Sequence, residues 1–459
     1  MIPLTLEAVA EIVGGRLQDG ADADRRIDHV VIDSRLAGPG ALFVALPGEH
    51  ADGHDFIAQA AANGAGGCLA DELRAPAHAS GAVLVDDPAD ALLGLGIWVR
   101  QTVAPTVVAV TGSSGKTTTK DLIAAAAGGA RRVVANEGSF NNELGVPLTC
   151  CRLEADSEVL VTEIGARGIG HIALLAGLVA PDIAVVTNVG AAHAQLFGDL
   201  DTTAQAKGEL VEALAADGVA VLNADDTRVA AMAARAPGRV VTYGMGDGAG
   251  WRAEDVRLDE LARPSFTVRG HRVQLPLPGE HNVGNALAAI AVADLLGVGL
   301  DEAADGIARA TVSHWRMELQ RAANGALILN DAYNANPASM EAALKTLAAT
   351  AATGRRWAVL GHMAELGDQA AEAHDRIGRL VIRLGIDALV VVGAAARGIR
   401  DAADLEGFYG QGPLHLVDTP EEAAALVRAE LAPQDVVLVK ASRSAGLERV
   451  ATLLGEAAA

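Results

Sequence analysis

Short apolar runs recur along the chain, and stretches with helical periodicity separate them. In the middle of the chain the runs are Val107–Val110, Val159–Ile164, Ile183–Asn188 and Val219–Asn223, with helical stretches that include Lys116–Ala127 and Thr202–Ala216. The runs are continuous rather than alternating, as expected of strands that helices cover on both faces. This order of elements predicts an α/β fold built on a mostly parallel sheet.

Two breaks in composition divide the pattern. Ala104-Pro105 interrupts the chain before the first central strand, and a second break lies at 311–315. The last third repeats the alternation, with runs at Trp357–Leu360, Ala388–Val392 and Val436–Val439. A chain of 459 residues accommodates several domains, at roughly 100–200 residues each. We therefore predict a mixed α/β N-terminal domain (1–103), a central phosphate-loop domain with helices on both faces of its sheet (104–314) and a Rossmann-like C-terminal domain (315–459).

The acidic balance of the chain excludes some classes of function. The formal net charge is −22 at pH 7, whereas a general nucleic-acid binder needs a basic face, so we expect no nucleic-acid partner. Because this charge repels anionic phosphates, a phosphate site must concentrate local cations, backbone N–H groups and metal ions.

Other features point to the cellular location. The three cysteines are too few for a disulfide framework, and residues 1–17 are more typical of a helix than of a signal peptide. No apolar run reaches the ~18–20 residues that span a bilayer. We therefore expect a cytoplasmic protein without a membrane span, and a monomer is the simplest assembly.

A glycine turn follows the strand at Val107–Val110 and precedes a helix. Its sequence is Thr111-Gly112-Ser113-Ser114-Gly115-Lys116-Thr117-Thr118, the layout of a phosphate cradle. The two glycines let backbone N–H groups point inward, the lysine supplies charge to the outer phosphates, and the first threonine of the pair offers a hydroxyl to Mg²⁺. Val110 stands where a strict Walker A motif has glycine, and an ordinary glycine turn is the alternative. The Lys-Thr-Thr run favours ATP binding by residues 112–118.

Further motifs follow this loop in a fixed order. They are Gly138–Thr149 (GSFNNELGVPLT), Glu163–Gly168 (EIGARG), Asn188–His193 (NVGAAH), Gln205–Leu210 (QAKGEL), Gly279–Ala286 (GEHNVGNA), His314–Arg316 (HWR) and Asn330–Pro337 (NDAYNANP). Together with the TGxxGKT loop, this ordered set resembles the Mur ligase family, which joins amino acids or peptides to the muramoyl precursor of the bacterial cell wall. The resemblance covers the whole chain.

The resemblance implies an activity. SFNNE, EIGARG, AQAKGEL and NDAYNANP resemble the family members that add D-alanyl-D-alanine to UDP-N-acetylmuramoyl-tripeptide. We therefore expect an ATP-dependent ligase that forms an acyl phosphate and makes the UDP-muramoyl-pentapeptide of peptidoglycan. Whether the third peptide residue is lysine or diaminopimelate stays open.

The resemblance also implies catalytic and metal-binding residues. The expected catalytic residues are Lys116, His193, Lys207 and Arg316, and the expected ligands of two Mg²⁺ ions are Thr117, Glu163, His193 and Lys207. In the family, the lysine that matches Lys207 is carbamylated by carbon dioxide, which turns a cation into an anionic oxygen ligand. From the residues alone, a solvated surface lysine and a solvated strand-end acid are the alternatives for Lys207 and Glu163.

Nucleotide contacts are expected mainly late in the chain. The resemblance assigns Asn282, Asn285, Arg316 and Asp331 to ATP. Asparagine side chains carry both a donor and an acceptor, which suits an adenine edge, although Asn282 could instead be a helix N-cap.

Substrate contacts are expected at several places. Ser34 and Arg35 are candidates for the UDP group, and Tyr333, Asn334 and Asn336 belong to the same loop as Asp331. Asn141 and Asn142 are candidates for the muramoyl-peptide arm, with a turn as the alternative. The segment Lys440–Ser444 follows a strand, and its residues, Ser442 and Arg443 in particular, are candidates for the carboxylate of the incoming dipeptide, with a surface loop as the alternative.

Other functions agree less well with the sequence. The related ligase that adds the third amino acid should carry an Asp-Asn-Pro-Arg motif in the last domain, and this chain has Asn334-Ala335-Asn336-Pro337-Ala338 instead. The Ser34-Arg35 type of first domain argues against a folate polyglutamate ligase. An ATP-binding regulator without catalysis should have lost at least one of four residues, and all are present: Lys116, Glu163, His193 and Lys207.

Overall fold

A computed structural model describes residues 1–48, 51–74, 81–190, 195, 198–408 and 412–456. The chain forms two compact units. The first comprises Met1–Ala109, Arg131–Gly165 and Ile172–Ile183, and the second comprises Val110–Ala130, Ala166–His171 and Ala184–Ala459. Within the described ranges, no helix is both long enough and apolar enough to cross a membrane.

The N-terminal part of the first unit is a small α/β arrangement. Its elements are β1 (Leu4–Thr5), α1 (Leu6–Val13), β2 (Arg16–Leu17), β3 (Arg26–Ile27), β4 (His29–Val31), β5 (Ala41–Val44), α2 (Ile57–Ala62), β6 (Gly67–Asp71), β7 (Ala82–Val85) and α3 (Pro88–Val103). A five-stranded sheet has the order β2-β7-β6-β5-β4, in which only the β2 pairing is antiparallel. The helix expected within residues 1–17 is confined to α1, because the Thr5 side chain caps its start and Gly14, at φ 66°, ends it.

The middle of the chain carries a second, larger sheet. Its elements are β8 (Thr106–Thr111), α4 (Lys116–Ala127), β9 (Val133–Ala135), α5 (Gly145–Cys150), β10 (Val159–Glu163), α6 (His171–Val179), β11 (Ile183–Val186), α7 (Leu200–Glu212), β12 (Val219–Asn223), α8 (Thr227–Ala231), β13 (Arg239–Gly244) and β14 (Trp251–Arg252). The strand order is β14-β13-β12-β11-β8-β10-β9. The pairs β9·β10, β12·β13 and β13·β14 are parallel, which agrees with the predicted α/β fold.

An antiparallel sheet and two helices follow in the second unit. They are β15 (Glu254–Leu258), β16 (Pro264–Val268), β17 (His271–Gln274), α9 (Asn282–Leu295) and α10 (Leu300–Ala308). The residues of α9 are almost all buried, as expected of a helix that is apolar on every side.

The last part of the second unit is another α/β layer structure. Its elements are β18 (Glu318–Arg321), β19 (Leu327–Asn330), α11 (Pro337–Ala349), β20 (Arg356–Leu360), α12 (Ala370–Arg383), β21 (Ala388–Val392), α13 (Arg397–Glu406), β22 (Leu414–Val417), α14 (Pro420–Glu430), β23 (Val436–Lys440) and α15 (Glu448–Gly455). The sheet order is β18-β19-β23-β20-β21-β22, with only β18·β19 antiparallel.

The core of this layer follows from the two-residue period of its strands. Leu329 and Leu438 belong to one apolar cluster, whereas their neighbours Ile328 and Val437 belong to the cluster on the opposite face. Both faces are therefore buried, which explains the continuous apolar runs in the sequence. The carboxyl ends of β19 and β23 lie side by side, and the polar residues that follow them meet at one edge of the sheet.

Candidate functional site

The loop after β8 has backbone geometry that only glycine satisfies at two positions. Gly112 has φ 150°, and a Cβ there would overlap the hydroxyl oxygen of Thr187. Gly115 has φ 80°, and a Cβ there would lie 2.6 Å from Oδ1 of Asn285. Both glycines thus let the loop approach polar side chains closely before α4 begins.

Asn188 holds the middle of the loop. Its Oδ1 accepts from the Ser114 N–H at 2.9 Å, and its Nδ2 donates to the Ser114 carbonyl at 3.0 Å. The Thr187 hydroxyl donates to the same carbonyl at 2.7 Å, and the Ser113 hydroxyl donates to the Gly190 carbonyl at 3.0 Å. Neither Thr187 nor Asn188 was predicted as a site residue, although Asn188 is the first residue of the motif Asn188–His193.

The start of α4 concentrates donors and positive charge. The first N–H groups of any α-helix lack intrahelical acceptors, and here Lys116, Thr117 and Thr118 form that first turn. The Lys116 ammonium donates to the Gly112 carbonyl at 3.0 Å, which folds the side chain back over the loop. The arrangement is the one expected of an anion cradle, and phosphate binding by these residues stays a prediction.

Arg316 reaches the same turn from the segment before β18. Its Nη2 donates to the Thr117 hydroxyl at 2.9 Å, and its guanidinium lies 3.9 Å from the centre of the Tyr333 ring. The structure therefore brings together a phosphate-loop residue and two residues that the sequence assigned to ATP or to the substrate.

Lys207 is buried on α7 and is not a solvated surface lysine. Only 4% of its surface is exposed. Burial, with a smaller contribution from the charge of Lys116, lowers the pKa of Lys207 from 10.5 to about 7. A substantial fraction of this amine is therefore neutral, and hence nucleophilic, near neutral pH.

Asp331 follows β19 and forms an ion pair that the sequence analysis missed. The ammonium of Lys440, at the end of β23, lies 2.5 Å from Oδ2 of Asp331. The Met317 N–H donates to the other carboxylate oxygen at 3.1 Å. A lysine that ends an apolar strand was the available signal, but the sequence does not indicate its partner.

The two asparagines of α9 form a chain of buried hydrogen bonds. The Thr119 hydroxyl donates to Oδ1 of Asn285 at 3.1 Å, Nδ2 of Asn285 donates to Oδ1 of Asn282 at 2.8 Å, and Nδ2 of Asn282 donates to the Pro278 carbonyl at 2.8 Å. The N-cap alternative for Asn282 is wrong, because His281 precedes the helix and Asn282 is its first residue.

Asn336 joins the loop before α11 to the phosphate loop. Its Oδ1 accepts from the Ser339 N–H in a capping box, and its Nδ2 donates to the Ser114 hydroxyl at 2.9 Å. Asn334 is exposed, and its Oδ1 accepts from the Ala335 N–H at 2.9 Å.

Ser442 and Arg443 have different surroundings after β23. Ser442 is buried, and its hydroxyl accepts from the Ala364 N–H at 2.8 Å, so a surface loop is the wrong description of this residue. Arg443 is half-exposed, pairs with Glu448 at 2.7 Å and lies 4.3 Å from the centre of the Trp315 ring. Contact of either residue with a dipeptide stays a prediction.

In the first unit, Glu163 is a buried carboxylate at the end of β10. Nδ2 of Asn141 donates to its Oε1 at 2.7 Å, and its own N–H donates to Oδ1 of Asn136 at 2.9 Å. Glu163 is 1% exposed, so the solvated-acid alternative is wrong. Asn142 has the turn role, since its Oδ1 accepts from the Gly145 N–H at 2.9 Å.

Ser34 and Arg35 lie next to each other in the first unit but differ in exposure. Ser34 is buried, and its hydroxyl donates to Oε1 of Gln59 at 3.0 Å. The Arg35 side chain is 79% exposed and pairs with Asp33 at 2.6 Å, and this hydrogen bond lowers the pKa of Asp33 to about 2. Their contact with a UDP group stays a prediction.

His193, the remaining predicted ligand, lies outside the described residues. Among the residues that are described, no three His, Cys, Asp or Glu side chains form a group that could hold a metal ion. The predicted ligand set does not depend on such a group, because it includes a threonine hydroxyl and a modified lysine.

Three family models match the chain in succession. The Mur ligase family catalytic domain matches residues 26–89, the Mur ligase middle domain matches 110–293, and the model described as Mur ligase, glutamate ligase domain matches 315–443.

Whole-chain relatives and structures are also similar. The UDP-N-acetylmuramoyl-tripeptide–D-alanyl-D-alanine ligase of Mycobacterium tuberculosis is 44% identical, over 99% of this chain and 98% of the relative. The crystal structure of MurF from Acinetobacter baumannii is 31% identical, has a TM-score of 0.85 and covers 99% of each chain. The MurF ligase of Thermotoga maritima in complex with ADP is 29% identical, has a TM-score of 0.79 and covers 93% of this chain and 97% of that one.

Proposed function

The chain belongs to the Mur ligase family, and from this membership we propose that it joins D-alanyl-D-alanine to UDP-N-acetylmuramoyl-tripeptide with ATP as the energy source. The enzyme is then an amide-bond-forming ligase of peptidoglycan precursor synthesis. Its products are the UDP-muramoyl-pentapeptide, ADP and phosphate.

The chemistry explains why such a site needs concentrated positive charge. A carboxylate acylates amines poorly, because its leaving group would be an oxide. Transfer of the γ-phosphoryl group to the tripeptide carboxylate gives an acyl phosphate, from which the dipeptide amine displaces phosphate. Two anions must meet in the first step, so cations and oriented N–H groups are required.

The observation that carries the proposal is the meeting of Lys116, Thr117 and Arg316 at the start of α4. Lys116 lies over the loop, and Arg316 donates to Thr117 at 2.9 Å, so two cations flank the donors of the first helical turn. In a chain with a net charge of −22, this local cationic site attracts a triphosphate that the global field repels. Asp331, Asn282 and Asn285 are the proposed contacts to the nucleoside.

Mg²⁺ and a carbamate on Lys207 are part of the proposal. The neutral amine that carbamylation requires fits a pKa of about 7. Attack of this amine on carbon dioxide, with loss of a proton, places an anionic oxygen ligand on α7. Bound Mg²⁺ supplies charge neutralisation for the phosphates. Thr117 and carbamylated Lys207 are the proposed ligands in the second unit, and Glu163 and His193 stay predicted ligands.

The finer assignments are also proposals. We place the domains at 1–103, 104–314 and 315–459, and we place the protein in the cytoplasm as a monomer, where its nucleotide-linked substrate and its dipeptide are soluble. The incoming dipeptide and the muramoyl-peptide are proposed to contact the residues predicted from the sequence.

Phosphate release tests the function. Wild-type protein is assayed with ATP, Mg²⁺, UDP-N-acetylmuramoyl-tripeptide and D-alanyl-D-alanine, and each substrate is omitted in turn. Release should depend on both, and release that persists without the dipeptide would exclude the ligase. Tripeptides that end in lysine and in diaminopimelate, assayed side by side, identify the accepted third residue.

Replacement of one residue tests the phosphate loop. Lys116→Ala should lower turnover by about a thousandfold or more, because it removes a cation from the transferring phosphates. An unchanged rate in a folded variant would remove the loop from the mechanism.

A further inference from the structure

We infer that Lys440 is a positioning residue that holds the Asp331–Asn334 loop, and through it Arg316, in place against the phosphate loop. The inference rests on the proposed function, since it concerns the ATP-using step. Among the described residues, Lys440 makes no contact with the phosphate loop, and we propose that its effect is transmitted through a series of linked contacts within the second unit.

The first link in the series is made by the Lys440 ammonium, which donates three hydrogen bonds to one loop. Lys440 is 1% exposed at the end of β23, and its ammonium has three N–H groups. These donate to Oδ2 of Asp331 at 2.5 Å, the Asn334 carbonyl at 2.9 Å and the Asp331 carbonyl at 3.4 Å. All three acceptors belong to one four-residue loop, so the lysine fixes that loop rather than a general region of the core.

The second contact leads from Asp331 to the segment that carries Arg316. The carboxylate oxygen that does not face Lys440 accepts from the Met317 N–H at 3.1 Å. In addition, the Tyr333 N–H donates to the Trp315 carbonyl at 3.2 Å. The two loops are therefore joined on both sides of Arg316.

The backbone around Arg316 needs this support. Trp315 has φ 60° and Met317 has φ 52°, both in the left-handed region that non-glycine residues rarely occupy. Such conformations persist only where surrounding contacts determine them. Here the contacts include those from Asp331 and Tyr333, together with the bond from the Trp315 N–H to Oε2 of Glu318 at 3.0 Å. Lys440 holds the loop to which Asp331 and Tyr333 belong.

The last contacts place the guanidinium. Arg316 stacks 3.9 Å from the centre of the Tyr333 ring and donates to the Thr117 hydroxyl at 2.9 Å. If Lys440 is removed, the Asp331 carboxylate, whose side chain is only 14% exposed, loses its cation, and we expect the loop to shift so that water solvates the charge. Tyr333 and Met317 then shift with it, and Arg316 loses its alignment with Thr117.

Lys440→Met tests the inference, because methionine keeps the apolar stem and removes the ammonium. We expect the KM for ATP to rise about tenfold or more, while the KM for the muramoyl tripeptide changes less than about twofold. A tenfold rise in KM corresponds to a loss of about 1.4 kcal/mol in binding free energy. Lys440→Gln, which keeps two N–H donors but no charge, should give an intermediate KM for ATP and serves if the methionine variant does not fold. Arg397→Met, which removes an exposed cation paired with Asp401, is the control and should match the wild type.

A double-mutant cycle separates positioning from a general structural role. If Lys440 acts through Arg316, adding Lys440→Met to Arg316→Ala should change the KM for ATP less than about twofold. Multiplicative effects of the two changes, or an equal rise in both KM values, would overturn the inference. If wild-type phosphate release does not depend on both substrates, the proposed function fails instead, so the two failures are distinguishable.

Discussion

Lys207 should make the protein less stable than its methionine variant near neutral pH. The side chain is 4% exposed, and burial lowers its pKa from 10.5 to about 7. Between pH 7 and pH 10.5, the lysine is protonated in the unfolded chain and neutral in the folded chain. Folding therefore requires deprotonation, which lowers the free energy of unfolding. Lys207→Met removes that cost, and it also removes the amine that the proposed carbamate requires. We therefore expect a more stable and inactive variant.

The pH dependence gives a cleaner measure than the stability itself. The destabilisation is fully present below pH 7 and disappears as the pH rises through 10.5, where the unfolded lysine also loses its proton. Linkage gives a cost of about 4 kcal/mol at pH 7 and about 2 kcal/mol at pH 9. From pH 7 to pH 9, the free energy of unfolding of the wild type should therefore rise by about 2 kcal/mol relative to that of Lys207→Met. Changes in contacts that do not depend on pH cancel in this comparison.

Thermal unfolding in carbon-dioxide-free buffer measures this difference. A change of about 2 kcal/mol corresponds to about 3 °C in Tm for the transition that includes the second unit. Lys345→Met, at an exposed lysine paired with Glu341, should show no such pH-dependent difference from the wild type. Added bicarbonate should then stabilise the wild type and not Lys207→Met. A Tm difference between wild type and Lys207→Met that is constant from pH 7 to pH 9 would refute the reasoning.

Two further substitutions test the phosphate loop. Gly112→Ala places a Cβ against the Thr187 hydroxyl, so it should abolish turnover and lower the free energy of unfolding by about 1–3 kcal/mol. Its control is Gly94→Ala in α3, where a Cβ meets no atom within 4 Å and should raise the free energy of unfolding by about 0.5–1 kcal/mol. Thermal unfolding and phosphate release measure both variants. Asn188→Ala removes both hydrogen bonds to the Ser114 backbone and should raise the KM for ATP about tenfold with a small change in Tm, and an unchanged KM would contradict a role in ordering the loop.

Several elements could be predicted from local sequence. The bounds of α4, β12 and β21 agree with the sequence pattern, because continuous apolar runs mark buried strands and Gly115 marks the start of the helix. The antiparallel strands β15–β17 had no such signal, since β15 is mostly exposed and its residues are largely polar. Their formation depends on pairing with neighbours, which a local pattern does not contain.

Residues of the candidate site could be predicted where they lie close together in the sequence, but not where their partners are distant. Gly112, Lys116 and Thr117 could be predicted as phosphate-binding residues because the chemistry of a phosphate cradle requires such residues within a short stretch of sequence. The contacts of Asn188 and Lys440 were not identifiable, because each side chain contacts a partner that is distant in the chain. Lys440 and Asp331 are 109 residues apart, and only the parallel pairing of β19 with β23 brings their strand ends together.

By itself, the sequence determined the α/β class and the family and predicted the phosphate loop, since these depend on local periodicity, on ordered motifs and on closely spaced glycines. The tertiary structure alone decided the electrostatic state of the side chains. Lys207 has a lowered pKa because it is buried near a second cation, and Lys440 is confined because its three donors meet one loop. Burial and partner geometry arise from the packing of segments that are distant in the chain. They lower the pKa of Lys207 and fix the hydrogen bonds of Lys440, and neither property can be read from the local sequence.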